Sequence, residues 1–201
     1  MKKLGIFIAA LAITAFVGCK NEKKDMDKSD GMEDSVQMDA AADQEAMKEA
    51  PKTVSVSMQS KSGSTAIGEV YFSEDNGIVT MEAKFSGLKP GTHAIHIHEK
   101  ADCSAADGSS AGGHWNPTHQ KHGKWGDPEG YHKGDIGNFE ADAKGNGKIE
   151  MQTDEWCIGC GDENKDILGK GLIVHEGADD FVSQPSGDAG SRVACGGIIE
   201  K

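Results

Sequence analysis

Six histidines and one aspartate are concentrated between residues 96 and 175 of this chain. They are His96, His98, His114, His122, His132, Asp135 and His175. Imidazole and carboxylate groups are the usual protein ligands of zinc, and imidazole also suits copper. Seven ligands are one short of two separate four-coordinate sites. The set therefore predicts a centre in which one imidazole is shared by two metal ions.

His96 and His98 begin that set on a segment with the character of a β-strand. Residues two apart on a strand project from the same face, so both imidazoles can reach one ion. Ile95 and Ile97 occupy the opposite face. A His-x-His pair alone is weak evidence, because two unrelated histidines on a surface strand produce the same pattern.

Short apolar segments separated by glycine-rich turns follow one another from Thr53 onward. Val54, Val56 and Met58 alternate with serines, as in a half-buried strand. Asn76-Gly77 is a strong hairpin signal. The candidate strands span residues 54–58, 67–72, 78–85, 92–98, 136–141, 148–153, 171–174 and 193–199. This all-β pattern predicts an antiparallel sandwich or barrel.

Two long segments between the candidate strands lack apolar periodicity. Residues 101–135 are rich in Gly, Ser, Asp and His, and residues 176–191 form a second loop. Loops of this length inside a folded domain are usually functional or disordered. Because the first contains four of the metal-ligand candidates, we expect it to be a metal-binding loop.

The N-terminal residues resemble an export signal. Lys2 and Lys3 precede an apolar run, residues 4–17, that is too short to span a bilayer. The run ends in Phe-Val-Gly-Cys, which resembles a bacterial lipobox. We therefore expect a signal peptide at 1–18 and lipidation of Cys19. The protein would then be anchored to a membrane of the cell envelope, in the periplasm or at the outer membrane.

Residues 19–51 are predicted to be a disordered tether, and residues 52–201 the folded domain. The segment 20–50 is rich in Lys, Asp, Glu, Ala and Met and has no aromatic residue. Such a composition buries too little apolar surface to offset the entropy of ordering. The formal net charge of the chain is −12. Nucleic acid is therefore excluded as an expected partner, because phosphate binding depends on basic groups.

Four cysteines remain when Cys19 is assigned to lipid. They are Cys103, Cys157, Cys160 and Cys195. In an exported protein they predict two disulfides, and the sequence alone allows three pairings. The Cys157-x-x-Cys160 motif is compatible with a redox pair, half a zinc site or a local disulfide. We favour the local disulfide, since no second such motif and no βαβ pattern accompany it.

Several segments together resemble the copper/zinc superoxide dismutases, in particular bacterial members of the lipoprotein type. These segments are 91–99 (GTHAIHIHE), 113–117 (GHWNP), 122–123 (HG), 132–138 (HKGDIGN), 174–176 (VHE) and 190–196 (GSRVACG). They occur in the order typical of the family. The resemblance implies an eight-stranded Greek-key antiparallel β-barrel with long metal-binding and active-site loops.

The resemblance also implies a role for each candidate residue. His96, His98 and His175 match copper ligands, and His114 matches the imidazolate that bridges copper and zinc. His122, His132 and Asp135 match the remaining zinc ligands. Asp179 matches an outer carboxylate that links the two sets, Arg192 matches an arginine beside the copper, and Cys103–Cys195 matches the disulfide of the family.

The implied activity is that of an enzyme, the dismutation of superoxide to dioxygen and hydrogen peroxide, with Arg192 and His114 as catalytic residues. The loop before Arg192 lacks the family's usual lysines, so Lys121, Lys124 and Lys133 are candidates for steering the anion. The alternative is an exported lipoprotein that binds and traffics copper on the same fold. Some members of the family form homodimers, which is therefore an expectation here as well.

Overall fold

The computed structural model describes residues 50–200. The predicted signal peptide, the lipidation site at Cys19 and almost all of the predicted tether lie outside the described residues. Between residues 50 and 200, no helix is long and apolar enough to cross a membrane.

Eight antiparallel strands form a closed barrel in the order β1-β2-β3-β6-β5-β4-β7-β8. The strands are β1 (Lys52–Ser60), β2 (Ile67–Asp75), β3 (Ile78–Ser86), β4 (Gly91–His98), β5 (Gly137–Ala141), β6 (Gly147–Thr153), β7 (Gly171–His175) and β8 (Arg192–Gly197). The pairing of β1 with β8 closes the barrel, and the pairing of β3 with β6 gives the Greek-key connection. The predicted fold is confirmed.

The strands form where side chains alternate between the core and the outside. On β3, Val79, Met81, Ala83 and Phe85 are buried, while Glu82 is exposed. The Asn76-Gly77 turn joins β2 to β3 with positive φ angles of 52° and 76°, as the hairpin prediction requires. Alternation of this kind holds each strand in one register, because a slip by one residue would expose the core face.

Strand β4 departs from simple alternation because both of its faces are covered. Its last six residues are all buried. Ile95 and Ile97 belong to the barrel core, whereas His96 and His98 lie on the outer face beneath the loops. This strand is the rigid support from which the candidate site is built.

The first long loop returns to β4 and is fixed to it. Trp115 N–H donates to the Ile97 carbonyl at 2.8 Å, and Ile97 N–H donates to the Gly134 carbonyl at 2.9 Å. A disulfide joins Cys103 on this loop to Cys195 on β8, with the Cα atoms 5.8 Å apart. The loop therefore follows the barrel wall despite having only one short 3₁₀ helix (Ser109–Ala111).

Candidate metal centre

Neighbouring strands bring three histidines together on the outside of the barrel wall. β4 pairs with β7, so His96 and His98 lie opposite the strand that ends at His175. The ring centroid of His175 is 5.1 Å from that of His96 and 5.6 Å from that of His98. All three side chains are buried.

His114 from the long loop completes this first cluster. It forms an isolated β-bridge with His98, which places its ring centroid 5.0 Å from that of His98 and 4.0 Å from that of His96. One ligand atom from each of His96, His98, His114 and His175 lies within 4.8 Å of the others. We call this set the four-histidine cluster.

The same His114 belongs to a second cluster formed by the loop alone. Its other members are His122, His132 and Asp135, again with ligand atoms within 4.8 Å of one another. The Asp135 carboxylate lies 2.9 Å from His114 Nδ1, 3.0 Å from His122 Nδ1 and 3.2 Å from His132 Nδ1. We call this set the His₃Asp cluster.

Six buried ring nitrogens in the two clusters have no hydrogen-bond partner. They are His96 Nδ1, His98 Nε2, His114 Nε2, His122 Nδ1, His132 Nδ1 and His175 Nε2. His122 Nδ1 and His132 Nδ1 lie close to Asp135 but form no hydrogen bond with it. Buried polar atoms are almost always paired, because leaving one unpaired costs about 1–3 kcal/mol. Each of the six histidines presents one such nitrogen, and the nitrogens converge within the clusters. The residues therefore fit two metal ions, with His114 reaching one cluster through Nε2 and the other through Nδ1.

Hydrogen bonds on the opposite ring nitrogens set the direction in which these imidazoles point. His98 Nδ1 contacts the Gly112 carbonyl at 3.0 Å, and His175 Nδ1 contacts the Gly190 carbonyl at 3.2 Å. A carbonyl fixes the proton on the nitrogen that it contacts and leaves the other nitrogen free as a ligand.

Asp179 links the two clusters from outside. Its Oδ2 is 2.8 Å from His96 Nε2 and its Oδ1 is 2.9 Å from His122 Nε2. Its backbone N–H is in turn held by Asn138 Oδ1 at 2.8 Å. Gly187 covers this arrangement, since a Cβ at that position would lie 1.8 Å from Asp179 Oδ1. One buried carboxylate thus orients one histidine of each set.

The Asp179→Asn variant is expected to bind zinc about 10- to 100-fold more weakly, as is typical when a partner of a ligating histidine is lost. An amide can accept from only one of the two rings through its oxygen. Competition with a zinc-binding dye measures the change. The control is Asp188→Asn, which removes an exposed carboxylate from the same loop. Equal affinities in the two variants would contradict the linking role of Asp179.

The two clusters differ in their electrostatics. Burial lowers the pKa of His98 and lowers the pKa values of His114 and His175 to about 4 and about 3. Burial also acts on His122, but the adjacent carboxylates of Asp135 and Asp179 outweigh it and raise its pKa to about 9. His98, His114 and His175 therefore offer neutral imidazoles at neutral pH, the form that binds metal.

Asp135 supplies the negative charge of the His₃Asp cluster. Burial would raise its pKa, but the hydrogen bond with His114 and the close imidazoles of His122 and His132 lower it well below its usual range. Its Oδ2 also accepts the backbone N–H of His132 at 2.8 Å. The carboxylate is therefore ionised and fixed in place, as a metal ligand should be.

Arg192 lies directly beside the four-histidine cluster. It is the first residue of β8 and pairs across the ladder with His175. Its Nη1 donates to the Gly108 carbonyl at 2.8 Å and its Nη2 to the Gly112 carbonyl at 2.7 Å. The Gly112 carbonyl is also the partner of His98. Since an arginine has five N–H donors, the guanidinium is held in place and keeps donors for an anion.

The structure brings together every histidine and aspartate that the sequence analysis assigned to the centre, and it keeps two histidines out. His93 is buried between the carbonyls of His175 and Lys89, and His119 is exposed. The Cys157–Cys160 disulfide is also present.

Two of the three predicted steering lysines are compensated by carboxylates. Lys121 pairs with Glu129 at 2.7 Å, and Lys133 pairs with Glu155. Their charges therefore contribute less to attracting an anion than the sequence suggested. Lys133 and Glu155 instead connect the His132 region to the segment before Cys157.

The sequence did not predict this connection, which fixes the segment containing His132 of the His₃Asp cluster. Tyr131 Oη donates to Glu155 at 2.5 Å, and Trp156 Nε1 donates to the Lys133 carbonyl at 2.9 Å. Trp156 is 1% exposed. A tryptophan next to a cysteine in a polar loop was the available signal, since a buried indole N–H requires a partner.

Comparison with known proteins agrees with the family resemblance found in the sequence. The family model described as copper/zinc superoxide dismutase (SODC) matches residues 66–198. "Superoxide dismutase [Cu-Zn] 2" of Aquifex aeolicus is 38% identical over 135 residues, which cover 66% of this chain and 78% of that protein. The crystal structure of a SOD-like protein from Bacillus subtilis is 32% identical with a TM-score of 0.65, and the match covers 75% of this chain and all of that one.

A relative named for a different function is also similar. "Copper chaperone for superoxide dismutase" of Rattus norvegicus is 33% identical over 139 residues. The match covers 66% of this chain but only 48% of that protein. Similarity over the barrel is thus shared by proteins named for catalysis and for copper transfer.

Proposed function

Because the chain belongs to the copper/zinc superoxide dismutase family, we propose that it is an enzyme that converts superoxide to dioxygen and hydrogen peroxide. One observation carries the proposal: the two ligand clusters share His114, and Arg192 is fixed beside the cluster of four histidines. A dismutase needs a redox-active ion, a proton donor and a fixed cation for the anionic substrate, and this arrangement can provide all three.

The two donor sets suit different ions. The four-histidine cluster would hold copper through imidazole nitrogens, and the His₃Asp cluster would hold zinc through three nitrogens and one carboxylate oxygen, a closed tetrahedral set. Copper, when bound, supplies one-electron chemistry that zinc lacks. Asp179 would keep the two sites in a fixed relation through His96 and His122.

His114 is the proposed proton carrier. Its Nε2 has no hydrogen-bond partner, while its Nδ1 lies 2.9 Å from Asp135. With Nδ1 held, Nε2 can accept one proton from solvent after the first superoxide is oxidised and donate it when the second is reduced, and water supplies the other proton that hydrogen peroxide needs. A positioned imidazole of this kind is the commonest general acid and base in enzymes.

Arg192 would attract and orient superoxide. Its two hydrogen bonds to backbone carbonyls fix the guanidinium, which remains charged at any physiological pH. We expect Arg192→Gln to lower the rate constant for superoxide about 10-fold and to weaken its dependence on ionic strength, because the local attraction is lost. Pulse radiolysis at several salt concentrations measures both.

Arg192→Lys is the matched control, because lysine keeps the positive charge but lacks the planar guanidinium group with its several N–H donors. It is expected to retain the ionic-strength dependence but to recover only part of the rate. If Arg192→Gln left both the rate constant and its salt dependence unchanged, Arg192 would have no role in binding the anion.

Product stoichiometry tests the proposed reaction. The chain loaded with copper and zinc should consume two superoxide ions for each hydrogen peroxide and each dioxygen formed, through many turnovers. The alternative, copper trafficking, is supported by the similarity to a copper chaperone and predicts metal transfer to an acceptor without catalytic decay. Deleting residues 20–50 together with Cys157→Ser should abolish transfer but leave dismutation intact.

We also propose, from the sequence, that the protein is a lipoprotein of the cell envelope anchored through Cys19. The apolar run at 4–17 and the following Gly18-Cys19 support this. The Cys19→Ser variant should move from the membrane fraction to the soluble fraction. An unchanged distribution would contradict the anchor.

A further inference from the structure

Cys157 and Cys160 lie in a turn outside the two histidine clusters, together with a third side chain that can ligate a metal. Their sulfurs and a carboxylate oxygen of Asp166 lie within 4.8 Å of one another. In the structure the sulfurs form a disulfide. We propose that reduction of this disulfide creates a third metal site, in which Cys157, Cys160 and Asp166 bind a thiophilic divalent ion such as zinc. This inference does not rest on dismutation.

The turn around the cysteines is organised by the Asp166 carboxylate. Its Oδ1 accepts the N–H groups of Gly159 and Leu168, each at 3.0 Å, and its Oδ2 accepts that of Gly161 at 2.8 Å. These bonds lie on both sides of Cys160. Oδ2 has a single hydrogen bond among these three, so it retains a lone pair for a metal ion.

Backbone bonds hold the other end of the turn. Cys157 N–H donates to the Lys165 carbonyl at 2.8 Å, and Ile167 N–H donates to the Cys157 carbonyl at 3.1 Å. None of these contacts uses the sulfur–sulfur bond. Opening the disulfide would therefore leave both thiols close together, and little ordering entropy would be lost when they bind an ion.

Two glycines give the turn its shape. Gly159 and Gly161 flank Cys160 and have φ angles of 64° and 75°, which residues with a Cβ rarely adopt. The Asp162 N–H also points at Cys160 Sγ, at 3.5 Å. Hydrogen bonding to the charged form favours that form, so this donor would stabilise a Cys160 thiolate.

The charge of the three groups suits a divalent cation. Burial acts to raise the pKa of Asp166, but the backbone hydrogen bonds from Gly161, Leu168 and Gly159 outweigh it and lower the pKa below its usual value. The carboxylate is therefore ionised at neutral pH. Two thiolates and one carboxylate form a zinc-type donor set with a fourth position open to water.

The accessible sulfur defines how reduction can proceed. Cys160 is exposed, whereas Cys157 is 6% exposed. A thiolate of a dithiol reductant would attack Cys160 Sγ and release Cys157 as a thiolate. The second thiol of the reductant then displaces Cys160, so the reductant becomes a disulfide and two electrons pass to the pair. Binding of the metal releases the thiol protons. The Cys103–Cys195 bond is less accessible than this one, since Cys195 is fully buried and Cys103 is half-buried, whereas Cys160 is exposed.

Cobalt(II) is the probe for the new site. The full chain, with both histidine clusters filled with zinc, is treated with a small dithiol, freed of it without oxygen and titrated with cobalt. We expect two more free thiols per chain than before reduction, so that Cys19 does not enter the count, and a thiolate-to-cobalt charge-transfer absorption that saturates at one cobalt per chain. Exchange of cobalt into the histidine clusters produces no such band, because they contain no sulfur.

Matched variants assign the ligands. Cys157→Ser should abolish the band, Asp166→Asn should weaken cobalt binding at least about 10-fold, and Glu163→Gln, an exposed acid of the same turn, should leave it unchanged. Reclosure of the disulfide in Asp166→Asn would show that its turn is intact. Free thiols without the band, saturation at one cobalt per two chains, or opening of Cys103–Cys195 before Cys157–Cys160 would each overturn the proposal.

Discussion

Replacing His114 with alanine is expected to lower the rate constant for superoxide decay about 10²- to 10⁴-fold, the range supplied by a positioned proton-transfer group. The effect should exceed that of a single lost ligand, because His114 is the one residue that belongs to both clusters. The variant should also bind both copper and zinc more weakly. Pulse radiolysis measures the rate, and elemental analysis after dialysis measures the metal content.

His119→Asn is the control for this substitution. His119 is an exposed histidine on the same loop with a φ of 53°, a conformation that asparagine also adopts readily. It should retain full activity and metal content. If His114→Ala kept both metals at full occupancy and dismutated superoxide at the rate of this control, His114 would be neither the shared ligand nor the proton carrier.

Removing the metals is expected to lower the melting temperature by roughly 10 °C or more. Six buried imidazole nitrogens in the described residues form no hydrogen bond, and four-coordinate metal binding would satisfy them. A ligand present at a thousand times its Kd adds about 4 kcal/mol of stability, which is about 8–16 °C for a domain of this size. Calorimetry before and after chelation, and again after copper and zinc are restored, measures the change.

The His114→Ala variant provides the comparison for this result. With the shared ligand lost, chelation should lower its melting temperature by a smaller amount. Equal melting temperatures for metal-loaded and metal-free native chain would contradict the conclusion that the clusters are metal sites that stabilise the fold.

The strands could be predicted because burial on one or both faces leaves a direct pattern in the sequence. Alternation at Val54, Val56 and Met58, and the Asn76-Gly77 turn, indicate local structure without knowledge of partners. Strand ends were less certain: β8 ends at Gly197 rather than at residue 199, since Ile198 N–H leaves the ladder for the Lys170 carbonyl. Lys170 is distant from Ile198 in the sequence, so the local pattern of residues around β8 cannot reveal this contact.

The ligand residues could be proposed because their type and spacing have a chemical meaning, helped by the resemblance to a family. The orientation of the His98 and His175 rings could not be predicted, since it depends on the carbonyls of Gly112 and Gly190. A backbone carbonyl is present in every residue and leaves no signal in the sequence. The ion pairs of Lys121 and Lys133 were missed for a similar reason. A charge in a loop does not reveal its partner until the loop is folded.

The most direct test of the account is the decay of superoxide with the chain loaded with copper and zinc, measured beside His98→Ala with the metal content of both determined. His98 contributes only to the four-histidine cluster, so its loss should leave zinc binding in place. We predict fast, copper-dependent decay that is lost in the variant. No catalysis by the native chain at full occupancy of both metals would contradict the account.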